Sequence, residues 1–76
     1  MRQEIGHRIK ELRVNKLHIT QEEFAFVLGF DRTYLSRVES GKQNITMDTF
    51  SFICQKLEVS LAEFFSSFDN VKEKVN

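Results

Sequence analysis

The sequence predicts an all-α fold, and three observations carry that expectation. There is no proline in the 76 residues and there are only three glycines, so little interrupts a helix except at a few marked places. Apolar residues recur at three- and four-residue intervals rather than in alternation, the spacing of amphipathic helix faces. Residues suited to helix N-caps, Thr20, Asp31, Thr46 and Ser60, stand just ahead of those stretches. A chain of 9.0 kDa is expected to form a single domain over residues 1–76, which excludes two-lobed and barrel architectures.

In the first segment Ile5, Ile9 and Leu12 fall on one face, predicting a helix over roughly residues 3–16. Thr20-Gln21-Glu22-Glu23 has the form of a capping box, so a second helix starts there and runs to Gly29, where a left-handed residue can end it. Asp31 is placed to cap a third helix that continues through Leu35 and Val38 to Gly41, about nine residues. After the polar loop Lys42-Gln43-Asn44, Thr46 caps a fourth helix with Met47, Phe50, Ile53, Cys54 and Leu57 on one face. Ser60-Leu61-Ala62-Glu63 is a second capping box, and Leu61, Phe64, Phe65 and Phe68 give the fifth helix its apolar side. Val71 to Asn76 are expected to fray.

Composition removes several function classes. No apolar run approaches the roughly 18 residues of a membrane span and the N-terminus has no apolar leader, so a cytoplasmic protein without a membrane partner is expected. Cys54 is the single cysteine and His7 and His18 are the only histidines, too few ligands for a structural zinc; no metal or cofactor is expected. Cys54 itself reads as a small buried hydrophobe, and the histidines carry no assigned role. Glu22 and Glu23 point about 100° apart on a helix and no nucleophile converges on them, so the chain is read as a binder, not an enzyme.

Eleven bases balance eleven acids, but unevenly. Residues 1–19 carry +3, residues 20–31 carry −3, residues 32–44 carry +2 and residues 45–76 carry −2. A basic face beside an acidic one suggests an oriented anionic partner.

A helix, a glycine turn and a short helix make a helix-turn-helix over about residues 20–39. Phe24, Leu28, Leu35 and Val38 wedge between its two helices, and Ala25 allows them to cross closely. The other face of the third helix then displays Arg32, Thr33, Ser36 and Arg37, with no acid among them. Such a face suits the major groove: an arginine fork matches guanine N7 and O6, a threonine methyl packs on thymine, and a serine hydroxyl bonds either way. Thr20, Gln21, Tyr34, Lys42, Gln43 and Asn44 lie around it as candidate phosphate contacts. Eight phenylalanines exceed what so small a core needs. Phe52, Leu61, Phe64, Phe65 and Phe68 are therefore candidates for a dimer seam within about residues 47–68.

From Ile5 to about Phe65, the chain resembles the Cro/CI-type (XRE) helix-turn-helix regulators of phage and bacteria. The residues carrying the resemblance are Gln21-Glu22-Glu23-Phe24-Ala25, Leu28-Gly29, Leu35-Ser36-Arg37-Val38-Glu39 and Gly41-Lys42. More narrowly, Asp31-Arg32-Thr33-Tyr34-Leu35-Ser36 with Asn44-Ile45-Thr46 is similar to the controller proteins of restriction–modification operons. The resemblance implies a compact five-helix, lambda-repressor-like domain that regulates transcription as a homodimer on a palindromic double-stranded DNA operator. The half-sites would be on the order of 34 Å apart. It further implies that Arg32, Thr33 and Tyr34 meet DNA, that the last two helices pair the subunits, and that Arg13 and Glu39 form a partly buried structural ion pair. RNA polymerase is expected as a further partner. The loop departs from many controllers in having Gly41-Lys42-Gln43 where a second arginine is common. The rival expectation is a protein-interaction module such as an antitoxin or anti-regulator, which near-zero net charge keeps in view.

Overall fold

The structure is a computed structural model that describes residues 1–68; the expectation for Val71 to Asn76 lies outside the described residues. Helix α1 (Arg2–Leu12) continues unbroken into a π-helical stretch, Arg13–Leu17, so the first helix reaches one residue beyond its predicted end. His18 closes it at a φ of 57°, its backbone N–H donating to the Arg13 carbonyl. A π-turn widens the helix by one residue per turn, and the Ile5, Ile9, Leu12 spacing ahead of it carried no sign of the change.

Helix α2 (Gln21–Leu28) opens with both capping-box bonds: Thr20 Oγ1 accepts from the Glu23 N–H at 3.1 Å, and the Glu23 carboxylate accepts from the Thr20 N–H at 2.8 Å. Gly29 ends it at a φ of 74°, which leaves Phe30 to donate back to the Ala25 carbonyl at 2.9 Å. Helix α3 (Arg32–Glu39) follows after the three residues Gly29, Phe30 and Asp31 and has eight residues. Asp31 has the extended conformation of an N-cap but its side chain makes no capping bond, so the carboxylate contributes only charge at that end. Helix α4 (Met47–Leu57) is capped by Thr46 Oγ1, which accepts from the Thr49 N–H at 3.1 Å. Helix α5 (Leu61–Phe65) has a complete capping box and runs into a 3₁₀ turn, Ser66–Phe68. The Ser60 backbone N–H and hydroxyl hold the Glu63 carboxyl below the usual carboxylate range. Among the described residues there are five α-helices and no strand.

The core is made of Ile9, Leu12, Phe24, Ala25, Leu28, Leu35, Val38, Phe50, Ile53, Cys54, Leu57 and Phe64. Burial pushes the Cys54 thiol up, which disfavours the reactive thiolate. Helix α1 lies so close to the end of α3 that a Cβ on Gly6 would stand 2.3 Å from the Val38 carbonyl oxygen. Only glycine fits there. The same approach buries an ion pair: Arg13 Nε and Nη2 donate to Glu39 Oε2 and Oε1 at 2.8 and 3.0 Å, with side chains 7% and 3% exposed. Arg13 Nη1 also donates to the Ile19 carbonyl at 3.0 Å. Elsewhere on α1, Arg8 donates from Nε to the Phe64 carbonyl at 3.0 Å and from Nη2 to the Glu63 carbonyl at 3.1 Å. The Lys16 ammonium, in the π-helical stretch, donates to the Glu58 carbonyl, so α1 and its continuation hold both α5 and the end of α4.

Two expectations about apolar residues are corrected. Phe64 belongs to the core and not to a surface seam: it is 0% exposed, with its ring edge-on to Phe50 at 4.9 Å. The short α5 has only one inward position per turn, and Phe64 takes it. Met47, expected on the core stripe of α4, is 67% exposed because it is the first helical residue and lies at the mouth of the packing layer.

Candidate nucleic-acid interface

The outer side of α3 projects free of its own domain. Arg32, Thr33 and Arg37 are exposed, Tyr34 and Ser36 are half-buried, and Leu35, Val38 and Glu39 face inward. Glu39, the one carboxylate within α3, is paired inside the fold, so the outward face carries positive charge alone. Tyr34 stands edge-on to Phe30, with ring centroids 5.2 Å apart. That contact fixes the ring while leaving the residue half-buried at the edge of the face.

Both arginines lean on glutamine amides. Arg32 Nη1 donates to Gln21 Oε1 at 3.4 Å, and Gln21 Nε2 donates to Glu39 Oε1 at 3.0 Å, linking this end of the helix to the buried pair. Arg37 donates from Nε to Gln43 Oε1 at 3.3 Å and from Nη2 to the Lys42 carbonyl at 3.2 Å. Among the candidate phosphate contacts, Thr20, Lys42 and Asn44 are exposed, and Gln21, Tyr34 and Gln43 are half-buried. The glutamine contacts were not visible in the sequence, because they depend on where the α2 start and the α3–α4 loop come to lie.

Of the five bases in residues 1–19, three are engaged within the domain, while Arg2 is exposed and lines a small cavity with Gln43 and Asn44 of the α3–α4 loop. Arg8 and Lys16 donate to main-chain carbonyls and Arg13 is buried against Glu39. Arg32, Arg37 and Lys42 also lie together around α3, which gives this side of the domain a positive field.

On another side, an apolar groove of about 140 Å³ is lined by Ile5, Ile45, Met47, Phe50, Leu61 and Phe65. Leu61 is 45% exposed at its rim. Ile45 and Met47 were not among the seam candidates, and Phe52 is not part of this groove: it packs on Phe30 and lies 5.5 Å under the Lys56 ammonium. Phe68 rests against Phe65 at 5.3 Å. Among the described residues no group of three His, Cys, Asp or Glu side chains comes together to hold a metal, and no helix is long and apolar enough to cross a membrane.

A family described as helix-turn-helix matches residues 9–64 of the chain. The control protein C.MunI of Mycoplasma sp is 38% identical over 64 residues, covering 84% of this chain and 86% of that protein. The antitoxin PezA of Streptococcus pneumoniae is 43% identical over 60 residues, covering 78% of this chain but 37% of that protein. Among solved structures, the tetramer of the restriction–modification controller protein C.Esp1396I in complex with its natural 35 base-pair operator superposes with a TM-score of 0.77. It is 34% identical, with 97% of this chain and 93% of that one covered.

Proposed function

The chain belongs to the helix-turn-helix family, and on that premise we propose that it is a cytoplasmic transcriptional regulator of the restriction–modification controller type, acting by binding specific double-stranded DNA rather than by catalysis. The observation that carries this reading is the outer face of α3: two arginines, a threonine and a serine with no carboxylate among them, exposed or half-exposed, with Lys42 beside them. Helix α3 enters the major groove with Arg32, Thr33, Ser36 and Arg37 toward base edges. Thr20, Gln21, Tyr34, Lys42 and Asn44 lie toward the phosphates and hold the register.

Selection of bound fragments from random duplexes supplies the operator for the test. On it, Arg32→Ala and Arg37→Ala are each expected to cost about 1–3 kcal/mol and to relax preference at one base pair. Lys42→Ala is expected to weaken all duplexes alike and to reduce the salt slope by about 1. Equal losses on operator and random DNA for both arginines would remove their reading role.

The regulator works as a homodimer, because one short helix reads few base pairs and a two-fold pair doubles the contacts. We place the seam at the groove between α1, α4 and α5, with Leu61, Phe65 and Met47 at its centre and Phe68 at its edge. Leu61→Asp, at an exposed position, is expected to shift the sedimentation mass toward monomer while the fold persists. An unchanged mass puts the seam elsewhere. A regulator of this kind should also lose duplex affinity steeply as salt rises, whereas an interaction module would bind no duplex at low salt. The match to PezA takes in little more than a third of that protein.

A further inference from the structure

We propose that Gln43 is a specificity-determining positioning residue: its amide holds the Arg37 guanidinium in the orientation from which it meets a base edge. This rests on the DNA-reading role of α3 and assigns to the α3–α4 loop a task other than the phosphate contact expected for Gln43. Arg37 sits in the last turn of α3 and turns one edge of its guanidinium to the loop, Nε to Gln43 Oε1 at 3.3 Å and Nη2 to the Lys42 carbonyl at 3.2 Å. Those two bonds use the side edge of the planar fork. Three of its five N–H groups remain, and two of them, one on each Nη, form the end-on pair that fits guanine N7 and O6.

The acceptors are themselves held in place. Gln43 Nε2 donates to the Asn44 carbonyl at 3.3 Å, which directs Oε1 toward Arg37. The Lys42 N–H donates to the Arg37 carbonyl at 2.9 Å, and Gly41 turns the chain at a φ of 78°. At Gly41 a Cβ would stand 2.6 Å from Gln3 Cγ, so α1 backs the loop closely. A long arginine side chain loses much rotamer freedom on binding. One already held by two bonds to a backed loop loses less. Arg32, by contrast, has a single contact to Gln21 at 3.4 Å, and the inference is confined to Arg37.

The test uses the full chain and a duplex enriched from a random library by the wild type, with every single base-pair substitution of that duplex. Gln43→Ala is expected to lower discrimination by about three- to tenfold at the base pair where Arg37→Ala also lowers it, and to leave the other positions alone. Gln43→Glu keeps an acceptor for Arg37, so discrimination at that pair should persist even though its charge weakens every duplex. Loss spread evenly over all duplexes with Gln43→Ala, as for a phosphate contact, overturns the proposal, as does unchanged discrimination. Arg37→Ala without effect at any base pair overturns it too. Failure of the wild type to enrich any duplex has a different meaning, since it removes the DNA-reading function itself.

Discussion

Arg13→Ala is expected to destabilise the fold by about 3–5 kcal/mol, because it strands the Glu39 carboxylate among core residues. With side chains 7% and 3% exposed, neither member of the pair has water to fall back on. Gln21 still donates to Glu39 Oε1 at 3.0 Å, but one amide bond does not neutralise the charge, and the Ile19 carbonyl also loses its donor. A single core of this size yields a net of only about 3–5 kcal/mol, so the variant should be largely unfolded at 25 °C by circular dichroism. Replacing both partners by apolar residues, Arg13→Met with Glu39→Leu, should recover most of the loss. A drop below about 1 kcal/mol for Arg13→Ala would mean that the pair behaves as a solvated surface contact.

Phe64→Ala is expected to cost a similar amount, about 3–5 kcal/mol, by opening a cavity at the junction of α4 and α5. The ring is fully buried and meets Phe50 and Phe65 edge-on at 4.9 and 5.1 Å. Urea unfolding at two protein concentrations separates this from a role in subunit pairing. A core residue lowers the midpoint equally at both concentrations, whereas a seam residue lowers it only where the dimer is populated. A concentration-dependent loss would return Phe64 to the seam.

Most of the fold was legible because its signals are local. The cap residues Thr20, Thr46 and Ser60 and the terminators Gly29 and Gly41 act within four residues of themselves, and each stands where the corresponding helix begins or ends. What escaped depends on distant neighbours or on a change of helical period. The π stretch at Arg13–Leu17 leaves no mark in the apolar spacing before it, and α5 passes into a 3₁₀ turn after five residues. Its period drops from 3.6 to about 3, so Phe65 and Phe68, three residues apart, meet edge-on at 5.3 Å, and of the three rings only that of Phe64 is fully buried. The outward face of α3 follows from the inward placement of Leu35 and Val38, and so its exposed residues were visible early. The amides that brace its arginines were not, since Gln21 and Gln43 reach them from other segments.

The bonds from Arg8 and Lys16 to the carbonyls of Glu63, Phe64 and Glu58 tie the α4–α5 corner to the same helix that abuts α3 at Gly6. Whatever joins a second copy at α5 therefore inherits the placement of α3 through one stiff beam rather than through a hinge. In the proposed homodimer two such copies form a caliper of set opening. One base pair inserted between half-sites moves them apart by about 3.4 Å and turns them by about 35° around the duplex axis, a step this frame has no joint to follow.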